Sequence, residues 1–219
     1  MQIHADLDRE AIVHAHDLPW VPAPVPGIER RMLERDGDEV ARASSIVRYA
    51  PGRSFPSHVH GRGEEFLVLE GRFDDEHGQY EAGTYVRNPP GSSHAPSCTL
   101  GCTIFVKLRQ FAADDDAAVV VRRSDRAWAV RDDGLRRCAL HVHGAEQVAL
   151  LELPAGFTGA LPDHGGEGWE LLVLHGVLRT DAASFGELSW WRRLGAPTRV
   201  HAPDAARVWL KTGHLRATR

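Results

Sequence analysis

The sequence predicts an all-β protein made of two similar barrels in tandem. Short apolar runs alternate with turns rich in glycine and proline, and hardly any stretch has helical periodicity, which is typical of sandwiches and jelly-roll barrels. The second half also repeats the first, because EFLVLEG at Glu65–Gly71 returns as ELLVLHG at Glu170–Gly176, about 105 residues later. We therefore predict one barrel over residues 1–114 and another over 115–219, joined in the acidic, alanine-rich stretch Ala112–Ala118.

The elements of the first half follow from local composition. Four prolines among apolar residues at Pro19–Glu29 predict an extended strap, because proline fixes φ and removes a backbone donor. Asp36-Gly37 is a hairpin-turn signal between two β-like runs. The predicted strands are Arg30–Leu33, Ala43–Tyr49, Phe66–Leu69, the two arms of a hairpin over Phe73–Tyr80, and Thr103–Leu108.

Composition excludes several classes of function. Charged residues make up 26% of the 219 residues and the net charge is -4, so we expect neither a nucleic-acid partner nor a membrane surface. The N-terminus lacks the pattern of a secretory signal and no apolar run is long enough to span a bilayer, so a cytoplasmic location is predicted. Three cysteines are too few for a disulfide framework, and a bond between Cys98 and Cys102, which would need a tight loop, is not expected.

A candidate metal site stands out in the first half. His58 and His60 are two residues apart, so on a strand both imidazoles point to the same face. Glu64 follows across a bend that contains two glycines, and His94 follows a Pro-Pro-Gly turn. Three imidazoles and one carboxylate predict a mononuclear site for a divalent transition metal, and zinc, iron, nickel, manganese and copper all suit such ligands.

The spacing of these residues resembles the two motifs of the cupin family. The first motif, G-x5-H-x-H-x3-E-x6-G, is matched from Gly52 to Gly71, and the second, G-x5-P-x-G-x2-H, is matched from Gly83 to His94. The position that usually holds a final asparagine is Cys98, a departure that leaves the ligand set intact because that asparagine is not usually a ligand. The resemblance implies two tandem cupin barrels, that is, double-stranded β-helices of jelly-roll type.

The amino-acid sequence of the same stretch is similar to that of the cupin domain of ChrR-type anti-sigma factors. The matching text is HVHGRGEEFLVLEGRFDDEHGQYEAGTYVRNPPGSSH, from His58 to His94. This resemblance implies zinc as one candidate metal, and zinc or iron is favoured. In those proteins a zinc-binding, sigma-binding domain with His and Cys ligands precedes the cupin, and because no cysteine occurs before Cys98 that domain is expected to be absent.

Two hypotheses for function remain open at this point. The first is a metal-dependent oxygenase or lyase that acts on a small organic substrate able to chelate the metal, as the resemblance to flavonol and β-diketone dioxygenases of the cupin family implies. The second is a ligand or oxidative-stress sensor without catalysis, similar to the ChrR cupin. Both require a small-molecule ligand, and a homodimer is left open.

Neighbouring polar residues have assigned or alternative roles. Glu64 is a candidate general base as well as a ligand, whereas Glu65 points to the opposite strand face and is expected to bond a basic residue such as Arg87. Tyr85 is either a phenol in the pocket or a core aromatic, and Tyr85 and Arg87 are the further catalytic candidates.

The second half is predicted to have lost its site. In the repeat alignment, His58 corresponds to Pro162 or Asp163, and Glu64 corresponds to Trp169. Arg199 lies near the position of His94. Of the four ligands only His60 has a matching residue, His164. Two other His-x-His pairs, His14/His16 and His141/His143, lack the spaced glutamate and third histidine, and we expect neither to be a specific metal site.

Overall fold

The computed structural model of this protein describes residues 1–162, 168–195 and 198–215, and strands dominate those ranges. Two short 3-10 helices, η1 (Ala15–Asp17) and η2 (Arg123–Asp125), accompany the strands. The strands are β1 (Gln2–Ile3), β2 (Ala11–His14), β3 (Val21–Pro22), β4 (Ile28–Gly37), β5 (Ala41–Tyr49), β6 (Arg53–Ser54), β7 (His58–Val59), β8 (Glu64–Asp75), β9 (Gly78–Glu81), β10 (Tyr85–Asn88), β11 (Ser93–His94), β12 (Ser97–Cys98), β13 (Cys102–Leu108), β14 (Val119–Val121), β15 (Trp128–Val130), β16 (Arg136–His143), β17 (Glu146–Leu153), β18 (Phe157–Ala160), β19 (Trp169–His175), β20 (Leu178–Arg179), β21 (Ser184–Phe185), β22 (Ser189–Arg193), β23 (Arg199–Ala202) and β24 (Ala206–Thr212).

The chain forms two compact β units, as the repeat in the sequence predicts. The first unit comprises Met1–Ala5 and Leu18–Asp125, and the second comprises Asp6–Asp17 and Arg126–Arg219. The change between them therefore falls after Asp125, later than the predicted 114/115 boundary. The reason is that β14 pairs with β10 and so extends the sheet of the first unit, while β2, near the N-terminus, pairs with β22 of the second unit.

In the first unit, one large antiparallel sheet carries most of the strands. Its main path runs β1-β4-β5-β13-β8-β10-β14, with β3, β9, β12 and β6 attached at its margins, and a separate two-stranded sheet pairs β7 with β11. Apolar side chains that alternate along β5, β8 and β13 fill the interior together with Phe73 and Tyr80. Phe66 and Val68, which alternate along β8 with Glu64, are both in this core.

The second unit repeats this plan with two sheets. Their orders are β15-β16-β17-β24-β19-β22-β2 and β18-β23-β20-β21. Its core is apolar and includes two buried indoles, Trp169 and Trp191, whose rings meet edge to face with centroids 4.6 Å apart. Trp191 in turn stacks on Phe185 at 4.5 Å and donates its Nε1–H to Glu10, which binds the N-terminal segment to this unit.

The predicted hairpins are confirmed, with shifts at their ends. β4 and β5 pair as expected, but their turn lies at residues 38–40 because β4 continues through Asp36-Gly37, which pair with Arg42 and Ala41. The hairpin of β8 and β9 forms within the predicted stretch Phe73–Tyr80, with Asp75 paired to Gly78 across its turn. In the described part of the chain, no helix is of the length and apolarity that crossing a membrane requires.

The prediction that Cys98 and Cys102 remain unbonded is wrong for this structure. The two residues form a disulfide, with their Cα atoms 5.9 Å apart. The tight loop that such a bond requires exists here because Gly101 adopts a left-handed φ of 81° between the end of β12 and the start of β13. The bond thus joins two consecutive strands of the first unit, and Cys138 is a buried free thiol.

Candidate metal centre

Strand pairing brings the four predicted ligands together in the first unit. His58 on β7 lies directly opposite His94 on β11. His60 follows β7 and is fixed by two backbone hydrogen bonds, from its own N–H to the Ser92 carbonyl and from the Gly91 N–H to its carbonyl, each 2.8 Å long. Glu64 is the first residue of β8. The turn between them depends on Gly63, whose φ of 76° suits glycine, and any side chain there would collide with the Phe111 ring.

The side-chain atoms of these residues converge on one point. The Nε2 atoms of His58 and His60 are 3.3 Å apart, and Glu64 Oε1 lies 3.6 Å from His60 Nε2 and 3.4 Å from His94 Nε2. Two atoms bound at about 2.1 Å to one ion lie roughly 3 Å apart at a right angle and about 3.4 Å apart at a tetrahedral angle. The observed separations therefore fit a single transition-metal ion.

The opposite nitrogen of each imidazole explains how the ligands are aimed. His58 Nδ1 lies 3.0 Å from the Pro56 carbonyl oxygen, and His94 Nδ1 lies 3.1 Å from Asp75 Oδ2. His60 Nδ1 lies 3.0 Å from the Ser92 hydroxyl. Because that hydroxyl donates its proton to the Pro89 carbonyl oxygen, it accepts a hydrogen bond from the ring.

These three acceptors fix the protonation of the rings. Each Nδ1 carries the proton, and each Nε2 presents its lone pair to the shared point. Among the described residues, His94 Nε2 is buried and finds no hydrogen-bond partner, an arrangement that a metal ion at this point would satisfy.

Burial and charge tune the site unevenly. His60, Glu64 and His94 are buried, whereas His58 is only half-buried and adjoins the exposed Val59. Burial lowers the pKa of His60, and the Glu64 charge offsets only part of that effect. Burial acts in the same direction on His94, but the hydrogen bond to Asp75 and the charges of Glu64 and Asp75 outweigh it and raise the pKa of that imidazole.

Two residues that the sequence analysis did not single out complete the centre. Asn88 donates its side-chain N–H to Glu64 Oε1 at 3.2 Å, because β10 and β8 pair Asn88 with Glu64. Asp75 holds His94 from the far end of β8. Asn88 could have been found from its place directly before the Pro-Pro-Gly turn that leads to His94, whereas Asp75 lies outside the two cupin motifs.

The structure does not bring Tyr85 and Arg87 to the metal centre. In the pairing of β10 with β8, Arg87 lies opposite Glu65 and Tyr85 opposite Leu67, so both side chains are on the face that points away from Glu64. There Arg87 donates to Glu65 Oε2 at 2.9 Å, which confirms the expected bond between these two, and the Tyr85 hydroxyl donates to the same oxygen. Arg87 also pairs with Asp115 and covers the Phe111 ring, so the group is a buried ionic network of the first unit.

In the second unit, the corresponding positions have other side chains. Trp169, at the place of Glu64, is buried against Trp191, and Arg199 is exposed on β23 opposite Ala160. Pro162 is half-buried, while Asp163 and His164 lie outside the described residues. Glu170 repeats the place of Glu65 and accepts from the Trp190 indole at 2.7 Å, which agrees with a structural role at that position in both units.

Comparisons with known proteins agree with this architecture. Residues 8–112 match the family described as the ChrR cupin-like domain. Among curated proteins no match was found. The sequence identities to similar solved structures are low, so these likenesses concern the fold.

Three examples each align with most of this chain. A Nostoc punctiforme protein provisionally described as a dioxygenase has 13% identity and a TM-score of 0.75, over 93% of this chain and 82% of its own. The bacterial pirin YhhW of Escherichia coli, in complex with nickel(II), has 14% identity and a TM-score of 0.68, over 93% and 97%. A mutant of Bacillus subtilis oxalate decarboxylase has 12% identity and a TM-score of 0.64, over 95% and 78%. Two β units, the matched motifs and these likenesses together show a two-barrel cupin fold, and residues 8–112 match the ChrR cupin-like domain family.

Proposed function

We propose that the first unit is a mononuclear metal-dependent oxygenase or lyase acting on a small organic substrate that chelates the metal. The observation that carries the proposal is the convergence of three imidazole lone pairs and Glu64 Oε1 on one point, with each Nδ1 satisfied by its own acceptor. A divalent ion held there would polarise a chelating substrate and would supply the exchangeable positions that such chemistry requires.

The residues around the centre have separate roles in this proposal. His58, His60, His94 and Glu64 would hold the ion. Glu64 is also placed to take a proton from an acidic substrate, since a carboxylate at an open site can act as a general base, and Asn88 fixes its orientation.

The approach to the centre is set by exposure. His58 is its most exposed ligand, and the Phe55 ring lies 5.2 Å from the His58 ring, so a substrate would enter beside these two residues. Behind the ligands lies the packed apolar core of the unit, in which the Phe73 ring is 5.8 Å from the His94 ring.

The names of similar structures support an enzyme without fixing its reaction. One is provisionally described as a dioxygenase and another is an oxalate decarboxylase, while the pirin holds nickel. These activities differ, and a shared fold supports many chemistries. The reaction therefore has to be decided on this chain.

The second candidate function is a metal-containing sensor that binds a small ligand or responds to oxidants without turnover. It is favoured by the match of residues 8–112 to the ChrR cupin-like domain. In that case zinc would suffice, because it organises a ligand site without redox chemistry.

The deciding experiment is elemental analysis of protein purified without a His-tag or chelating column, followed by assays with the native metal. A β-diketone and a flavonol serve as probes, and both O2 consumption and loss of the substrate chromophore are recorded. Oxygenase activity would appear as matched losses of O2 and chromophore, and lyase activity as loss of chromophore alone.

His94→Ala is the metal-free control, and Glu65→Gln is the control that leaves the four ligands in place. Zinc in the native protein, with tight binding of a probe and no turnover, would favour the sensor. Absence of any stoichiometric transition metal would defeat both functions.

A further inference from the structure

We infer that Asp75 is a positioning residue of the metal centre: it sets the tautomer of His94 so that Nε2, and not an N–H group, faces the ion. The inference rests on the proposed metal function for its purpose, but the tautomer itself is a property of the metal-free protein. Asp75 lies between the two cupin motifs, 19 positions before His94.

The two oxygens of Asp75 have different partners. Oδ1 accepts three hydrogen bonds, from the His77 N–H at 2.8 Å, the Gly78 N–H at 3.0 Å and the Tyr80 hydroxyl at 3.2 Å. Oδ2 lies 3.1 Å from His94 Nδ1, and both side chains of that pair are only 2% exposed. Because the carboxylate is held by its turn, Oδ2 presents a fixed acceptor to the imidazole.

This acceptor is stronger than those of the other two histidines. His58 Nδ1 meets a backbone carbonyl and His60 Nδ1 meets a hydroxyl, both of them neutral. A charged acceptor makes a stronger hydrogen bond and also increases the electron density of the ring. His94 is therefore the ligand whose orientation and donor strength depend most on a single side chain.

Replacing Asp75 with asparagine should reverse the tautomer rather than merely weaken the bond. Two backbone N–H groups and one hydroxyl point at the Oδ1 position, so the amide carbonyl must stay there. The NH2 group then takes the Oδ2 position and donates to His94 Nδ1. His94 must carry its proton on Nε2, where the proton occupies the place of the ion.

Replacing Asp75 with alanine has a different consequence. It removes both the acceptor and the turn contacts, but leaves His94 free to choose either tautomer. The two variants should therefore rank in opposite orders for metal affinity and for the stability of the apoprotein. Asp75→Asn keeps the turn and should bind metal worse, whereas Asp75→Ala loses the turn and should be the less stable apoprotein.

The experiment measures three quantities on wild type, Asp75→Asn and Asp75→Ala. Zinc and cobalt affinities come from competition with a chelator, apoprotein stability from urea unfolding, and the His94 tautomer from nitrogen-15 NMR of the neutral imidazole in apoprotein. We expect Asp75→Ala to lose about 10- to 100-fold in metal affinity, the range typical of such partners. Asp75→Asn should lose at least about tenfold more, and its His94 should carry the proton on Nε2.

The adjacent carboxylate provides the matched control. Asp74 forms an ion pair with Arg72, with Arg72 Nε 2.8 Å from Asp74 Oδ1, rather than with a histidine, so Asp74→Asn should leave metal affinity and the His94 tautomer unchanged. If Asp75→Ala is both the less stable variant and the weaker metal binder, then affinity only follows stability. Asp75 would in that case be a structural residue of the turn. A wild-type His94 protonated on Nε2 would overturn the inference even if the protein binds metal. Wild-type protein with the Nδ1 proton but no metal affinity would instead count against the proposed function and leave the positioning by Asp75 standing.

Discussion

At the scale of single residues, the four ligands are not equivalent. Each histidine is held by its own acceptor and brings a neutral nitrogen, whereas Glu64 brings charge and is held by Asn88. Loss of one imidazole leaves only two nitrogens, which is too few to retain a divalent ion at micromolar concentration. Glu64 adjusts the site, because its charge tightens binding and a carboxylate beside an open position can take up a proton.

Substitution of the ligands should separate these roles. We expect His58→Ala, His60→Ala and His94→Ala each to abolish metal retention, and Glu64→Gln to retain metal weakly, as measured by metal analysis after dialysis. Glu65→Gln is the control: it should keep the metal but lower the free energy of unfolding by about 2 kcal/mol, since it weakens charged hydrogen bonds to Arg87 and Tyr85. A Glu65→Gln protein without metal beside a fully loaded Glu64→Gln protein would show that the two carboxylates have been assigned to the wrong faces.

The residues that could be predicted are those whose direction is set locally. His58 and His60 share a face through their two-residue spacing, and Glu64 and His94 were found through their resemblance to the spacing of the two cupin motifs. The side-chain directions of Tyr85 and Arg87 depend instead on how β10 pairs with β8, a register that the Pro-Pro turn and the hairpin set together. Asp75 was missed because its partner is remote in sequence and only the fold brings the two together.

At the scale of elements, the bend between β7 and β8 determines whether Glu64 reaches the histidines. Gly63 has a left-handed φ of 76°, and a Cβ there would collide with the Phe111 ring, whereas Gly61 has no such φ and a Cβ there would meet only the end of the Arg109 side chain. The bend is also fixed by a 2.8 Å hydrogen bond from the Arg109 N–H to the Gly63 carbonyl.

We therefore expect two glycine substitutions only two residues apart to differ sharply. Gly63→Ala should lower the free energy of unfolding by about 2–4 kcal/mol, from left-handed backbone strain and a clash with an aromatic ring. It should also weaken metal binding, because Glu64 is the next residue. Gly61→Ala should change stability by no more than about 0.5 kcal/mol. Urea unfolding of the apoproteins and chelator competition measure both effects, and equal behaviour of the two variants would contradict this account of the bend.

At the scale of the whole molecule, the duplication was visible in the sequence, but the assignment of an N-terminal segment to the second unit was not. The repeat of Glu65–Gly71 at Glu170–Gly176 identifies two units because both copies carry the same buried central strand. The assignment of Asp6–Asp17 to the second unit depends on β2 pairing with β22, a contact between residues almost the whole chain apart. Short edge strands of this kind have little sequence pattern that predicts them, because the strand with which they pair determines the unit to which they belong.

The two units preserve their sheets but differ in their interiors, and this leads to the last prediction. In the first unit the Glu64 position holds a ligand, whereas in the second Trp169 and Trp191 occupy the corresponding interior with packed indoles. We therefore expect about one tightly bound transition-metal ion per chain, measured by elemental analysis against protein concentration from amino-acid analysis.

His94→Ala tests where that ion resides, because the substitution affects only the first unit's ligands and should reduce the content to near zero. Trp169→Phe, which keeps an aromatic ring in the second interior, should leave it near one. Two ions in the wild type, with one retained in His94→Ala, would mean that a site outside the first barrel binds metal as well and that loss of the ligand pattern in the second half has been misread.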